Sequence, residues 1–435
     1  MDTHNLSVPV PQFVGGVSDY FPRPGKERSL ETGLEKRYEY IVRPTNASNE
    51  GFTGDGFIEF RIMGVPGQFI DLSQLVLEVE GYLVKRNGTK VVENDNIQLT
   101  NLASCTLIKS IGVFFNNVQV ETGINYSYNS YIKTLLNTPA WKEDRSLSLA
   151  GYHGLGDMEK VLTVDGLTAS KHRNVTDFAF YTPLVLDIST CDGYLIDNVD
   201  VRIRIELSNE RFVINGVCDA AASPVYRLTK TDLHITKLKP MNNALESLNK
   251  KLSTTPMTYM FDKTLYCTTP IASGQSVVTV ENPWIKCLPS KIWFILTAMK
   301  NTLGVYDSNS IYFDTENIKS IEILIDNEIA YSTSFDWDKG KVQQGYYELL
   351  RAGGNGHQAL ISVPHFKKGS TVHLLALSPE VLEGESMSLE REGYLRINIE
   401  FSTPPAGNLM LQLFGETQGV LTIDKDRTVL LDVRQ

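Results

Sequence analysis

Seven histidines are the first residues to test for chemistry: His4, His153, His172, His234, His357, His365 and His373. A metal-dependent oxygenase or isomerase on a β sandwich needs several imidazoles and a carboxylate converging on one ion. No two of these histidines lie within four residues of each other, so neither an H-x-H pair nor an H-E-x-x-H motif is present. His357, His365 and His373 recur every eight residues, a spacing that would put them on one face of a continuous strand. Pro364 and the turn signal Lys367-Lys368-Gly369 interrupt that stretch, so the three read as surface or loop residues. Two glycine-rich runs, GYHGLG (Gly151–Gly156) and AGGNGH (Ala352–His357), lack the Walker lysine in a strand–loop–helix setting that a phosphate cradle requires. The second reads as a helix C-cap and turn. There is no G-x-S-x-G elbow, and spacing alone cannot set two carboxylates across a glycosidic bond. No catalytic, cofactor-binding or metal-ligating residue is therefore assigned. Trp141, Trp284, Trp293 and Trp337, with Tyr126, Tyr128 and Tyr131, could stack on sugars, but core and interface packing is the ordinary use of such side chains.

Bulk properties narrow the class. A chain of 435 residues exceeds what one hydrophobic core supports, and two domains is the natural division. No apolar run approaches the ~20 residues of a membrane-spanning helix, and the N-terminus lacks the basic start and apolar block of a secretory signal. The five cysteines (Cys105, Cys191, Cys218, Cys267, Cys287) are scattered and odd in number, without a C-x-x-C pair, and read as reduced thiols. A net charge of −10 argues against a protein whose task is gripping phosphates, so no specific nucleic-acid binding is expected. The stretch Met1–Arg37 balances five basic against five acidic residues and reads as a flexible or docking arm.

The elements that would position any site are mostly strands. Ile58, Phe60 and Ile62 alternate with Glu59 and Arg61; Val201, Ile203 and Ile205 alternate with Arg202, Arg204 and Glu206. Leu395, Ile397, Ile399 and Phe401 do the same with Arg396, Asn398 and Glu400. Period-two alternation marks strands with one face on a core. Asn87-Gly88 is a hairpin signal. Helical patterns are few: Tyr126–Asn137, Gln343–Ala352, and Met241–Leu252, where Ala244, Leu245, Leu248 and Leu252 share a face.

The chain also repeats itself. Ile108-Lys109-Ser110-Ile111 opens a strand that turns at Asn116-Asn117; Ile318-Lys319-Ser320-Ile321 opens another that turns at Asp326-Asn327, 210 positions later. Each hairpin leads into a Tyr-containing helix that ends in a Leu pair, Leu135-Leu136 or Leu349-Leu350, 214 positions apart. Asn and Asp tolerate the left-handed backbone such turns need. A duplicated unit of about half the chain follows. The expected fold is all-β: two tandem eight-stranded antiparallel jelly-roll sandwiches with a few short helices. The expected division is an arm over 1–37, a first jelly roll over 38–240, a linker helix over 241–252 and a second jelly roll over 253–435.

Five phrases in order resemble the double jelly-roll, hexon-like major capsid proteins of Polinton/Maverick elements and adintoviruses. They are Phe69–Ser73 leading into Leu75–Val79, Leu107–Val120, the Tyr-rich helix Tyr128–Asn137, Gly193–Arg204 and Leu233–Pro240. In the second half the likeness rests on the central helix and Ile318–Trp337. The resemblance implies a structural protein without enzymatic activity or cofactor. It would form homotrimers that serve as pseudo-hexagonal capsomers on the facets of an icosahedral shell, with a single jelly-roll penton protein as partner. Its place would be the virion, after synthesis and assembly inside a host cell. Trp141, on the long Asn137–Arg173 connection, is the expected trimer contact, because long loops of such sandwiches reach neighbours. Two other readings stand beside it: a tandem jelly-roll carbohydrate-binding protein, and a capsid homologue resident in a host genome that no longer forms particles.

Overall fold

The computed structural model describes residues 33–47, 51–92, 97–142, 145–155, 177–191, 193–216, 223–285, 287–353, 359–378 and 391–432. The first half holds β1 (Leu34–Val42), β2 (Phe57–Ile62), β3 (Phe69–Lys85), β4 (Ile97–Leu99) and β5 (Ile108–Phe115). It continues with β6 (Val118–Gly123), β7 (Asp177–Pro183), β8 (Val201–Leu207), β9 (Ile214–Gly216) and β10 (Pro224–Pro240). The second half holds β11 (Met257–Ile271), β12 (Val277–Glu281), β13 (Lys291–Ala298), β14 (Ile318–Ile325) and β15 (Glu328–Ser334). Then come β16 (His373–Ala376), β17 (Leu395–Phe401), β18 (Leu409–Ile423) and β19 (Val429–Asp432).

Each half is a pair of facing antiparallel sheets. In the first, β1-β10-β3-β7 faces β2-β8-β5-β6, with β4 and β9 as a separate two-stranded ribbon. In the second, β11-β18-β13-β16 faces β12-β17-β14-β15, and β19 adds to β18. Leaving out the β4–β9 ribbon and β19, eight strands remain in each half. Counted in chain order, both halves then have the sheet orders 1-8-3-6 and 2-7-4-5, the jelly-roll connection. Alternation decides which residues face inward: Ile58, Phe60 and Ile62 are buried, as are Val201, Ile203, Ile205 and Leu395, Ile397, Ile399. Buried apolar residues of the two halves form one contiguous cluster.

The repeated hairpins match in detail. The turn residues all have left-handed backbone, with φ of 44° and 70° at Asn116 and Asn117 and 52° and 68° at Asp326 and Asn327, as a type I′ turn requires. Both hairpins carry a bulge at the same two places: Ile108/Ser110 and Ile318/Ser320 toward the neighbouring strand, Val113/Phe114 and Ile323/Leu324 within the hairpin. The bulge leaves Lys109 and Lys319 unopposed, and the following serine donates to a glutamate on the next strand. Ser110 Oγ reaches Glu206 Oε2 at 2.8 Å and Ser320 Oγ reaches Glu400 Oε2 at 3.1 Å. The first turn residue ties the hairpin to its neighbour. Asn116 Oδ1 accepts from the Asp200 N–H at 2.9 Å, and Asp326 Oδ1 from the Tyr394 N–H at 2.8 Å.

Between the sandwiches runs the helix Asn242–Leu252, with Leu252 buried and Ala244, Leu245 and Leu248 half-buried. β1 begins at Leu34, so Leu34–Arg37 of the segment read as an arm lie in a strand; residues 1–32 are outside the described ones.

Candidate functional site

Among the described residues, an extended constellation of side chains joins the two halves of the molecule. The helix Tyr126–Asn137 follows β6 and lies on the face of the β11-β18-β13-β16 sheet that turns toward the first half. Lys133 Nζ donates to Thr264 Oγ1 of β11 at 2.8 Å and sits 5.8 Å from the ring centre of Trp293 on β13. Asn125 Nδ2 donates to Gln412 Oε1 of β18 at 3.0 Å. Trp293 stacks on Phe414 at 5.7 Å beneath this contact. Toward the end of the helix facing β6, Tyr128 donates to the Ser310 carbonyl at 3.0 Å and packs on Phe212 and Phe313. At the other end the Leu360 N–H donates to the Leu135 carbonyl at 2.9 Å.

Charge is buried here too. Lys133 pairs with Asp187 at 3.0 Å, and Asp187 also accepts from the Thr264 N–H at 2.6 Å and the Thr264 hydroxyl at 2.7 Å. Glu121 accepts from the backbone N–H groups of Asp187 and Ile188, each at 3.0 Å. Burial, with the Asp187 carboxylate beside it, pushes the Glu121 carboxyl up to about 8 in spite of those two donors. Lys133 is held above its usual value: burial opposes its charge, but Asp187, Glu416 and Glu121 outweigh burial. Further along the seam, Arg427 bonds the Asp197 carboxylate and donates from Nε to the Asp197 carbonyl at 2.8 Å. Asn116, the repeat's turn residue, donates to the Arg427 carbonyl at 2.9 Å. Such an arrangement carries no nucleophile poised on a base; what it does is lock two sandwiches in one relative orientation.

The residues singled out from the sequence fall at several places. Leu135, Leu136 and Leu349 are buried and Leu350 is half-buried. Tyr126, Tyr128 and Tyr131 are buried, as are Trp284 and Trp293, and Trp337 donates to the Ile318 carbonyl at 2.7 Å. Trp141 is 62% exposed, with Lys142 and Arg145 over its ring at 5.4 and 5.7 Å. The reading of His373 as a surface or loop residue is corrected. It lies buried in β16, stacked on Phe294 at 4.9 Å with Phe335 and Phe366 around it, and burial lowers its pKa to about 3. His365 sits on the short helix Val363–Lys367 and His234 pairs with Glu78 at 2.8 Å, while His4, His172 and His357 lie outside the described residues. Among the described residues no group of three or more His, Cys, Asp or Glu is placed to hold a metal ion, and no helix is long and apolar enough to cross a membrane. Sequence reasoning missed Glu121, Asp187, Thr264 and Arg427, because their partners lie between 54 and 311 positions away.

No family model matches the chain, and no curated protein matches it. Solved structures do. A chain of the Sputnik virophage, solved by cryo-electron microscopy, superposes with a TM-score of 0.63 at 11% identity, over 99% of this chain and 94% of that one. The mavirus major capsid protein gives 0.55 at 13% identity, over 99% and 97%. The Faustovirus major capsid protein gives 0.57 at 9% identity, over 93% of each. The chain has a double jelly-roll fold. At these identities the likeness is one of architecture, and it runs through both jelly rolls.

Proposed function

We propose that this protein is a major capsid protein, a structural building block of an icosahedral viral shell. The observation that carries the reading is the pair of jelly rolls, locked by a buried seam, that superposes over nearly its whole length on capsid proteins. The doubling has a physical use. A homotrimer has only three-fold symmetry, whereas close tiling of a facet favours six similar sides. Two jelly rolls per chain supply six quasi-equivalent units from three chains, and the halves are then free to diverge in loops. The protein acts through surfaces, as a homotrimeric capsomer in the virion, made and assembled inside the host cell. A single jelly-roll penton protein would close the vertices, where three-fold capsomers do not fit. The net charge of −10 suits a shell wall that leaves genome condensation to other components. Trp141, exposed and flanked by cations, belongs to the trimer surface in this reading.

Light scattering behind a sizing column, with negative-stain imaging of the same peak, tests the proposal. A three-chain species with a roughly hexagonal outline is expected. A 48.7 kDa monomer that persists at high concentration would overturn self-assembly.

A further inference from the structure

The chain has three Asn-Gly pairs: Asn87-Gly88, Asn215-Gly216 and Asn355-Gly356. The third lies outside the described residues. The other two share a dipeptide and differ in everything around it. Asn215 is fully buried in β9, where its Nδ2 donates to Asn309 Oδ1 at 3.4 Å and the Gly216 N–H donates to the Tyr306 carbonyl at 2.8 Å. Asn87 stands at the exposed tip where β3 turns back toward Lys90. The sequence pattern predicts a two-residue turn there, but the tip is wider. The Lys85 N–H donates to the Thr89 carbonyl at 2.7 Å, and Gly88, not Asn87, takes the left-handed backbone, with φ of 88°. Asn87 Oδ1 accepts from the Thr89 N–H at 3.0 Å and from the Thr89 hydroxyl at 2.7 Å. These bonds bridge Gly88, and the ring they close contains the Asn87 amide carbon and the Gly88 nitrogen. A Cβ placed on Gly88 would meet nothing within 4 Å, so water reaches the tip freely.

We propose that this tip is a self-modification site, at which Asn87 loses its side-chain amide to attack by the Gly88 nitrogen. Hydroxide takes the Gly88 N–H proton, breaking that group's 2.8 Å bond to the Lys85 carbonyl, and the nitrogen bonds Asn87 Cγ. The Cγ–Nδ2 bond breaks, and Nδ2 leaves as ammonia with a proton taken from water. Water then opens the succinimide at either carbonyl, giving aspartate or isoaspartate. Negative charge develops on Asn87 Oδ1 as the new bond forms, and that oxygen already accepts two bonds from Thr89. Donors at 3.0 and 2.7 Å make an oxyanion hole. Lys85, Arg86 and Lys90 flank the turn, and their charge favours an anionic intermediate. Glycine at 88 supplies the left-handed backbone and leaves the attacking nitrogen uncrowded. At Asn215 burial excludes hydroxide, and the side-chain amide and the Gly216 N–H are both tied, so the same dipeptide is spared. The reaction needs no second copy of the chain and is independent of the shell-forming reading. Each event adds one negative charge among three cations, and the isoaspartyl product lengthens by one carbon the turn that Lys85 and Thr89 close.

The test incubates the folded full-length protein alone at mildly alkaline pH and follows the Asn87 and Asn215 peptides by mass spectrometry. Enzymatic methylation counts the isoaspartate formed. While the chain is folded, Asn87 should convert about tenfold or more faster than Asn215, and the two rates should converge in urea. Thr89→Val keeps the shape of the side chain and the backbone donor but removes the hydroxyl. It should slow conversion about three- to tenfold. Thr89→Ser restores the donor and should restore the rate. Residue 89 is exposed, so the circular dichroism of both variants should match wild type. If Asn87 in the folded chain stays an amide as long as Asn215 does, the tip is no modification site. Conversion of Thr89→Val at the wild-type rate would overturn the oxyanion hole on which the proposal stands.

Discussion

His373 shows how a residue chosen for its chemistry serves packing instead. Its ring is sandwiched among Phe294, Phe335 and Phe366, and its Nε2 has no hydrogen-bond partner. A charged imidazolium there would lose its hydration with nothing in exchange, so burial lowers the pKa from the usual 6.5 to about 3. The unfolded chain takes up a proton below 6.5 that the folded chain refuses until about 3. This group's contribution to stability is thus complete above 6.5 and is lost as the pH falls through that window. His373→Phe keeps an aromatic ring in the site and removes the proton. Relative to wild type, the variant should gain about 2 kcal/mol between pH 7.5 and pH 5. Urea midpoints of both proteins at the two pH values measure it, and equal pH dependence would show that the imidazole is not desolvated. Glu121 works in the opposite sense. Its carboxyl is raised from 4.5 to about 8, so its contribution is complete below 4.5 and is lost as the pH rises through about 8.

At the scale of elements, the two repeated helices differ in how they are seated. The first presents Tyr131 to Phe313 at 6.0 Å; at the matching place the second has Gly345, against the ring of Phe335. A Cβ at Gly345 would fall 2.5 Å from that ring. Phe335 has no room to yield, stacked on Trp337 at 5.0 Å and edge-on to His373 at 5.4 Å. Two effects compete in Gly345→Ala: alanine favours the helix by about 1 kcal/mol, while overpacking a close contact costs about 1–3 kcal/mol. The close approach is to the body of a pinned ring, so packing should win. We expect the variant to lose about 1–2 kcal/mol in chemical denaturation, and a stabilised variant would mean that Phe335 moves freely. The bulged hairpins follow the same logic of local demand. Four left-handed turn positions are filled by Asn or Asp, and both bulges are followed by a serine that finds a glutamate on the next strand.

For the whole molecule, the buried seam ties two sandwiches together. The apolar cluster runs across both halves, and Lys133, Asp187 and Thr264 form a charged clasp inside it. Removing one partner of a buried pair leaves the other charge uncompensated, a loss of about 3–5 kcal/mol. Lys133→Met keeps most of the side chain's volume and leaves Asp187 without its cation. Its unfolding should remain a single transition at lower urea concentration if the seam couples the halves. Two separated transitions, one near the wild-type midpoint, would show that the sandwiches unfold independently. Circular dichroism together with tryptophan fluorescence distinguishes these outcomes, because Trp284, Trp293 and Trp337 lie in the second half and Trp141, in the first, is already exposed in the folded chain.

Much of this architecture was legible in the order of residues alone. Alternation at Ile58–Ile62, Val201–Leu207 and Leu395–Phe401 announces half-buried strands, because side chains two apart share a face. Ile108–Asn117 and Ile318–Asn327 announce a duplicated hairpin, because turns and bulges are local and their residue requirements are written within ten positions. The double jelly roll follows from those two signals. Only the tertiary structure decided what closes the seam. Glu121, Asp187, Thr264 and Arg427 carry no local signature, since their hydrogen bonds join segments far apart in the chain. The histidines show the same limit: a spacing of eight suggested a shared face, but Pro364 and the Val363–Lys367 helix separate His365 from the strand that buries His373. Local pattern determined the elements, because backbone geometry is local. Which faces are covered depends on long-range packing, which no local pattern in the chain records.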